Sequence, residues 1–516
     1  MSLAENLAGI FQVMDQWIQR YGKVFGIYLG DKPFMVITDV DIIKECFIKA
    51  AKVFQDRSLY GIDAEPFKSG LILLREEKWR KVRSVFNTCF TSVKVKKLSG
   101  NIDAAMMRFV QKFDEASRFG EIIEAHDMAR RMVLDLLTRT VLGRQSFEVI
   151  FKEAENTFFE GSFAYPGLRS LLLCIYPFTS FCKALQKVMD DALPVLKERR
   201  SGESERKEDV LQHVVDAQQG IGDILPTTNA NARSIDDPTL LSNLAILLIA
   251  GFDTTSASLA FLLYQLAKHP EEQLKIRAEI ASKLRGKNIS ACECTNTNLK
   301  EQQDLEGEQR QENDNASSPL RPRGTDNPAT GTVNAGNQQA RHTEVTRPSH
   351  TAFNQDTAKN ELEEDEVMQL ERLDMVVREG LRLYPPIPIT IMRDCTEDMT
   401  VSGQFIPAGM SVMSPPWHVH RDAEIWSEPN SFIPDRFLQK DRDIASSCYY
   451  PFGLGPRMCV AHRLGMVTLK TALYRIMRDF EISLADGVPD PLPVSVEHVI
   501  LNPAAAIKLK VKKSHL

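Results

Sequence analysis

Residues 236–270, DDPTLLSNLAILLIAGFDTTSASLAFLLYQLAKHP, constrain the fold more than any other stretch. Asp236, Asp237 and Pro238 are helix-start signals, and His269-Pro270 is a stop. Between them apolar residues fall on nearly every side of a 3.6-residue repeat, so the window predicts one long, buried helix. The period stays mostly helical from about residue 74 to 285. Ahead of it an amphipathic opening leads into YGKVFGIYLGDKPFMVITD, two β-rich runs broken at Gly30-Asp31, the pattern of a hairpin. After it ELEEDEVMQLERLDMVVREGLRLYPPIP predicts a helix stopped by Pro385-Pro386, and MTVSGQFIPAGMSVMSPP predicts short strands. The apolar share of 43% supplies a large core, and a length of 516 residues suggests several domains or one domain with inserts.

One segment cannot join that core. From 287 to 360 the chain is rich in Asn, Gln, Glu, Thr and Gly (KNISACECTNTNLKEQQDLEGEQRQENDN opens it) and is nearly devoid of aromatic residues. Such a composition buries too little surface to offset its ordering entropy, and a disordered insert is expected there. Nine scattered cysteines, odd in number and irregular in spacing, exclude a disulfide framework. Cys292 and Cys294 have no second pair at zinc-like spacing. A net charge of −6 implies no nucleic-acid partner. No unbroken apolar run reaches the roughly 20 residues that span a bilayer, and the first 22 residues lack the pattern of a signal peptide.

Four stretches carry polar groups that packing alone does not require. In the long helix Asp253 and Thr254 interrupt an apolar run, at a cost unless they hydrogen-bond or do work. Gly251 and Ala250 before them would admit something large against the backbone; the alternative is a helix-packing notch. In LREEKWRKVRSVFN, Trp79 and Arg83 share a helix face and offer donors to a ligand carboxylate, or are simply amphipathic surface. Glu379 and Arg382 lie three apart on one helix face, with Arg436 of SFIPDRF available to close a charge cluster; the plainer reading is a solvated pair. Last comes PFGLGPRMCVAHRLG. Gly453 and Gly455 permit a tight bulge, Arg457 is a cation, and Cys459 lies near a helix start, where free N–H groups favour a thiolate, a soft metal ligand. Ala461 keeps the first turn slim.

In this order the four stretches resemble the motifs of the cytochrome P-450 family of haem-thiolate monooxygenases: W-x-x-x-R, A-G-x-D-T-T, E-x-x-R with P-D-R-F, and F-x-x-G-x-R-x-C-x-A beginning at Phe452. The resemblance covers about 15–286 and 361–510. It is strongest to the animal clan of drug- and steroid-oxidising microsomal enzymes that includes thromboxane synthase, through YGKVFGIYLGDKPFMVITD, TCFTSVKVKKL and HRDAEIWSEPNSFIPDRF.

The resemblance implies a mainly α fold with a smaller β-rich lobe, one domain made of 1–286 and 361–516 around the insert. It implies haem b with Cys459 as axial ligand, and Trp79, Arg83, Arg393 and Arg457 on the haem propionates, with Phe452 in the haem loop. Asp253 and Thr254 relay protons to bound dioxygen, and Glu379, Arg382 and Arg436 form a structural triad. Electrons come from NADPH through cytochrome P-450 reductase, with cytochrome b5 a further partner, for oxidation of a lipophilic substrate at the cytoplasmic face of the endoplasmic reticulum. Ala461 stands where glycine is commoner, and the anchor and proline-rich hinge of microsomal relatives are missing, which leaves peripheral membrane contact. Lys78, Arg80, Lys81, Lys94, Lys96 and Lys97 form a basic stripe for the acidic reductase, or a solvated face. Phe158, Phe159, Phe163, Phe178 and Phe181 suggest a greasy pocket or membrane-dipping surface. Two rival activities remain: a haem isomerase of a lipid peroxide, and a non-catalytic haem protein.

Overall fold

The computed structural model describes residues 3–29, 32–57, 65–144, 180–202, 205–221, 225–287, 361–389, 391–438, 448–497 and 499–514. The insert beyond residue 287 therefore lies outside the described residues, as do four of the five phenylalanines just named; Phe181 lies in a helix. Helices dominate, and those that position the site are α1 (Leu3–Tyr21), α2 (Glu76–Cys89), α3 (Ser92–Lys97), α4 (Ser99–Phe119), α5 (Ala125–Leu142), α6 (Ser180–Ser201), α7 (Val210–Gln219), α8 (Asp237–Lys268), α9 (Glu371–Leu383) and α10 (His462–Asp479).

The long apolar window is the single helix α8. Asp236 caps it by accepting the Thr239 N–H at 3.0 Å, and His269 ends it. By length and composition α8 would cross a membrane, but 67% of its most apolar window is buried within the protein, so it is a core helix. Its most extensive partner is α5. The close contact bears on one of the two readings of the Ala250-Gly251 pair: a Cβ on Gly251 would lie 3.0 Å from Leu137 Cδ2 of α5, so the glycine serves as a helix-packing notch on that side.

A four-stranded sheet, in the order β1-β2-β7-β4, is built from β1 (Val24–Leu29), β2 (Lys32–Ile37), β4 (Ile391–Asp394) and β7 (Ser411–Ser414). The two strands of the expected hairpin pair antiparallel, with Leu29 facing Lys32; residues 30–31 themselves lie outside the described residues. β3 (Ile123–Glu124), β8 (Phe480–Leu484) and β11 (Lys508–Lys513) make a second sheet, and β5 (Met399–Val401) with β6 (Gln404–Ile406) and β9 (Val494–Glu497) with β10 (Ile500–Pro503) make two hairpins. Met35, Ile37, Phe47, Phe54, Tyr450 and Leu454 share one apolar cluster, which fastens the four-stranded sheet to the loop that carries Cys459.

The acidic helix before Pro385 is two pieces, Glu364–Met368 and α9. The break has a tertiary cause. Lys470, fully buried on α10, takes the Met368 carbonyl at 2.6 Å, and Leu370 turns extended into the core. A second unit begins at Ala281 and ends at Glu363; of its described residues, 281–287 are helical and Lys287 Nζ donates to the Glu361 carbonyl at 3.2 Å.

Candidate active site

The loop ahead of α10 is shaped by two glycines in the left-handed region, Gly453 (φ 80°) and Gly455 (φ 65°). At Gly455 conformation and space agree, since a Cβ there would come 1.9 Å from the Phe47 carbonyl oxygen. The bulge closes when the Cys459 N–H donates to the Phe452 carbonyl at 2.8 Å. Cys459 precedes α10 by three residues. The residue is solvent-accessible, yet burial pushes its thiol up, while the Ala461 N–H and the Arg83 and Arg57 guanidiniums pull it down.

Four guanidiniums collect round this loop. Arg57 Nη2 donates to the Arg457 carbonyl at 3.3 Å, and Arg393, on β4, donates from Nη2 to the Leu454 carbonyl at 3.3 Å and lies over the Phe47 ring. Burial lowers the pKa of all four, Arg457 to about 9, and Arg57 and Arg457 each add repulsion at Arg393. Asp56 is the carboxylate that answers Arg457, at 2.8 Å. A buried group of cations with one such partner is costly and is relieved by an incoming anion.

The donors are not equally available. Arg457 spends Nε on the Gln55 carbonyl, Nη1 on the Leu71 carbonyl, and Nη2 on both Asp56 and the Leu74 carbonyl, so one Nη1 proton is left. Its stacking at 4.1 Å over Trp79 makes it more a floor than a clamp. By contrast, the buried Trp79 Nε1 and Arg83 Nε, one turn apart on α2, have no hydrogen-bond partner among the described residues. Unspent buried donors beside surplus cations fit a dianionic group.

On α8 the residues between Leu240 and Ala267 that are not buried are Leu247, Ala250, Gly251, Asp253, Thr254 and Thr255. Leu247, Ala250 and Thr254 recur at helical spacing and form a partly open stripe. The Thr254 hydroxyl donates back to the Ala250 carbonyl at 2.6 Å, and Arg130 Nη2 of α5 stands 4.0 Å from Asp253 Oδ1.

The E-x-x-R cluster is a closed structure. Glu379 and Arg382, both 0% exposed, pair bidentately at 2.8 and 2.9 Å, and Arg436 Nε reaches Glu379 at 3.0 Å. The remaining Arg382 donors go to the carbonyls of His420, Pro429 and Ser431, and the Ile433 N–H caps the carboxylate at 2.9 Å. The basic stripe is only partly open: Lys81 pairs with Glu77, Lys96 with Asp365 and Lys97 with Glu208, while Arg80 bonds the neutral Gln55 amide and Lys78 is exposed.

The family model for Cytochrome P450 matches residues 3–302 and 338–511. The chain belongs to the cytochrome P450 family. It is 27% identical to Cytochrome P450 3A6 of Oryctolagus cuniculus over 99% of this chain and 89% of that protein. It is 26% identical to Cytochrome P450 3A5 of Homo sapiens (98% and 87% covered), and 27% identical to Cytochrome P450 3A9 of Rattus norvegicus (96% and 85%). As a cytochrome P450 it is a haem-thiolate monooxygenase, an oxidoreductase, with a mainly α fold and small β sheets. The donors round the Cys459 loop fit that cofactor. Sequence reasoning missed Arg57 and Asp56, because nothing in VFQDRSLYG marks them; only their meeting with Arg457, 400 residues on, does so.

Proposed function

We propose that Cys459 is the axial haem ligand of this cytochrome P450, in a single catalytic domain made of 1–286 and 361–516, and that it oxidises a lipophilic substrate with NADPH-derived electrons. The single observation that carries this reading is the gathering, round an exposed cysteine, of surplus guanidinium charge and the unspent Trp79 and Arg83 donors. Haem bound there supplies dioxygen activation, with a thiolate favouring O–O cleavage. The protein's own part is to hold that group and to move protons. Trp79 Nε1–H and Arg83 Nε–H would hold the propionates, joined by Arg57, Arg393 and the one free Arg457 proton. Phe452 and the Ala461 N–H fix the sulfur.

Asp253 and Thr254 form the proton path. The Thr254 hydroxyl, parked on Ala250, would turn toward the substrate side to give its proton, and the Asp253 carboxylate, on leaving Arg130, would take up a proton from water and pass it to the Thr254 oxygen. The intact acid–alcohol pair favours oxygenation over peroxide isomerisation, which needs no proton delivery. Lys78 and Arg80 remain to steer an acidic reductase, with cytochrome b5 as a second partner at the cytoplasmic face of the endoplasmic reticulum.

Reduced, carbon-monoxide-treated protein tests the central claim. A thiolate-type Soret band that Cys459→Ala abolishes is expected; an unchanged band in that variant sinks the assignment. NADPH consumption with purified cytochrome P-450 reductase, with and without lipophilic compounds, then separates a monooxygenase from an isomerase and from a non-catalytic haem protein.

A further inference from the structure

The first turn of α10 holds a side chain that the motif does not require. α10 begins at His462, so the Cys459 carbonyl lies outside its hydrogen-bond ladder, whose first closing bond is Gly465 N–H to the Ala461 carbonyl at 2.9 Å. That carbonyl is met by His462 Nδ1 at 3.2 Å. A carbonyl has no proton to give, so Nδ1 is the donor. The Cys459 N–H is already held by the Phe452 carbonyl at 2.8 Å, and the Phe452 ring lies edge-on to the imidazole, centroids 6.3 Å apart. A Cβ on Gly465 would touch the same phenyl ring at 3.5 Å. Both backbone polar groups of Cys459 are thereby clamped, one by the bulge and one by a side chain, and Phe452 and His462 brace each other.

We infer that His462 is a positioning residue for the thiolate: its Nδ1–H fixes the Cys459–Val460 peptide so that the Ala461 N–H stays aimed at the sulfur. This rests on reading Cys459 as the axial ligand. Holding a donor on the sulfur stabilises the more negative, reduced form of the haem–thiolate unit, so loosening the clamp lowers the reduction potential. The clamp also belongs to this chain's own sequence, because an aliphatic side chain at 462 would leave the motif intact and remove this side-chain donor.

The test compares haem-loaded wild type, His462→Leu and His462→Gln by spectroelectrochemistry and by amide exchange across residues 459–461. Leucine removes the donor; glutamine keeps an N–H that can reach the carbonyl. His462→Leu is expected to lower the ferrous-to-ferric ratio at a fixed applied potential about three- to tenfold, tenfold being about 59 mV for one electron, and to speed exchange at Ala461. His462→Gln is expected to recover most of both. Should leucine prevent haem loading, His462→Met carries the same comparison. Equal behaviour of all variants, or equal shifts in the leucine and glutamine proteins, overturns the inference. Absence of a thiolate-type band in the wild type overturns it together with the ligand assignment.

Discussion

Two groups of buried arginines lie in this molecule and are finished in opposite ways. At Glu379 each donor of Arg382 meets a carboxylate or a carbonyl, and Arg436 closes the remaining side with bonds to Glu379 and to the carbonyls of Ser427 and Glu428. Round Cys459, Arg57, Arg83, Arg393 and Arg457 repel one another across a site in which Trp79 Nε1 and Arg83 Nε are left unbonded. The same side chain serves both. What differs is whether the protein completes the charge itself, and that distinguishes a strut from a seat for a ligand.

Removing the strut should have the largest effect. Glu379→Ala strands two guanidiniums and the Ile433 N–H, and should cost about 3–5 kcal/mol of folding stability, with or without haem. Urea unfolding of both forms measures it, and a loss confined to the haem-loaded protein would erase the contrast between the two groups.

Acid should attack the same region next. His420, whose Nε2 accepts the Tyr450 N–H at 3.0 Å, is pushed down to about 3 from an ordinary 6.5, by burial and then by Arg382 and Arg421. The unfolded chain takes up this proton below about pH 6.5 and the folded one only near 3, so stability is flat above that window and falls through it. The slope of the urea midpoint against pH should be shallower in His420→Asn; parallel slopes would remove His420 from the acid response.

At the open group the effect should be smaller and should need the cofactor. Arg83→Met is expected to weaken haem binding by about 1.5–3 kcal/mol, roughly ten- to hundredfold faster haem transfer to an acceptor protein, and to leave unfolding of the haem-free protein unchanged. If the haem-free protein loses as much stability as the loaded one, Arg83 is a second strut.

The smallest stability change is expected on α8. Thr254→Ala removes the bond to the Ala250 carbonyl and should shift stability by less than about 1 kcal/mol, while diverting NADPH electrons from product to peroxide. Full coupling in this variant would exclude Thr254 from the proton path.

Much of this was legible because it is local. The buried helix α8, the antiparallel pairing of β1 with β2 and the bidentate Glu379–Arg382 pair each follow from spacing within a few residues, and the two φ-positive glycines from the needs of a tight bulge. The rest was hidden because its cause is a partner far along the chain. Gly251 is explained by Leu137, the break after Met368 by Lys470, and the limited reach of Arg457 by oxygens from residues 55 to 74.

By itself, then, the order of residues determined which elements form, which helix is buried, and that a lone cysteine ends a glycine bulge. Only the tertiary structure decided which charges are spent. Hydrogen-bond capacity is finite, and whether Arg382, Arg457 or Arg83 has donors to spare depends on carbonyls and carboxylates brought from elsewhere in the chain.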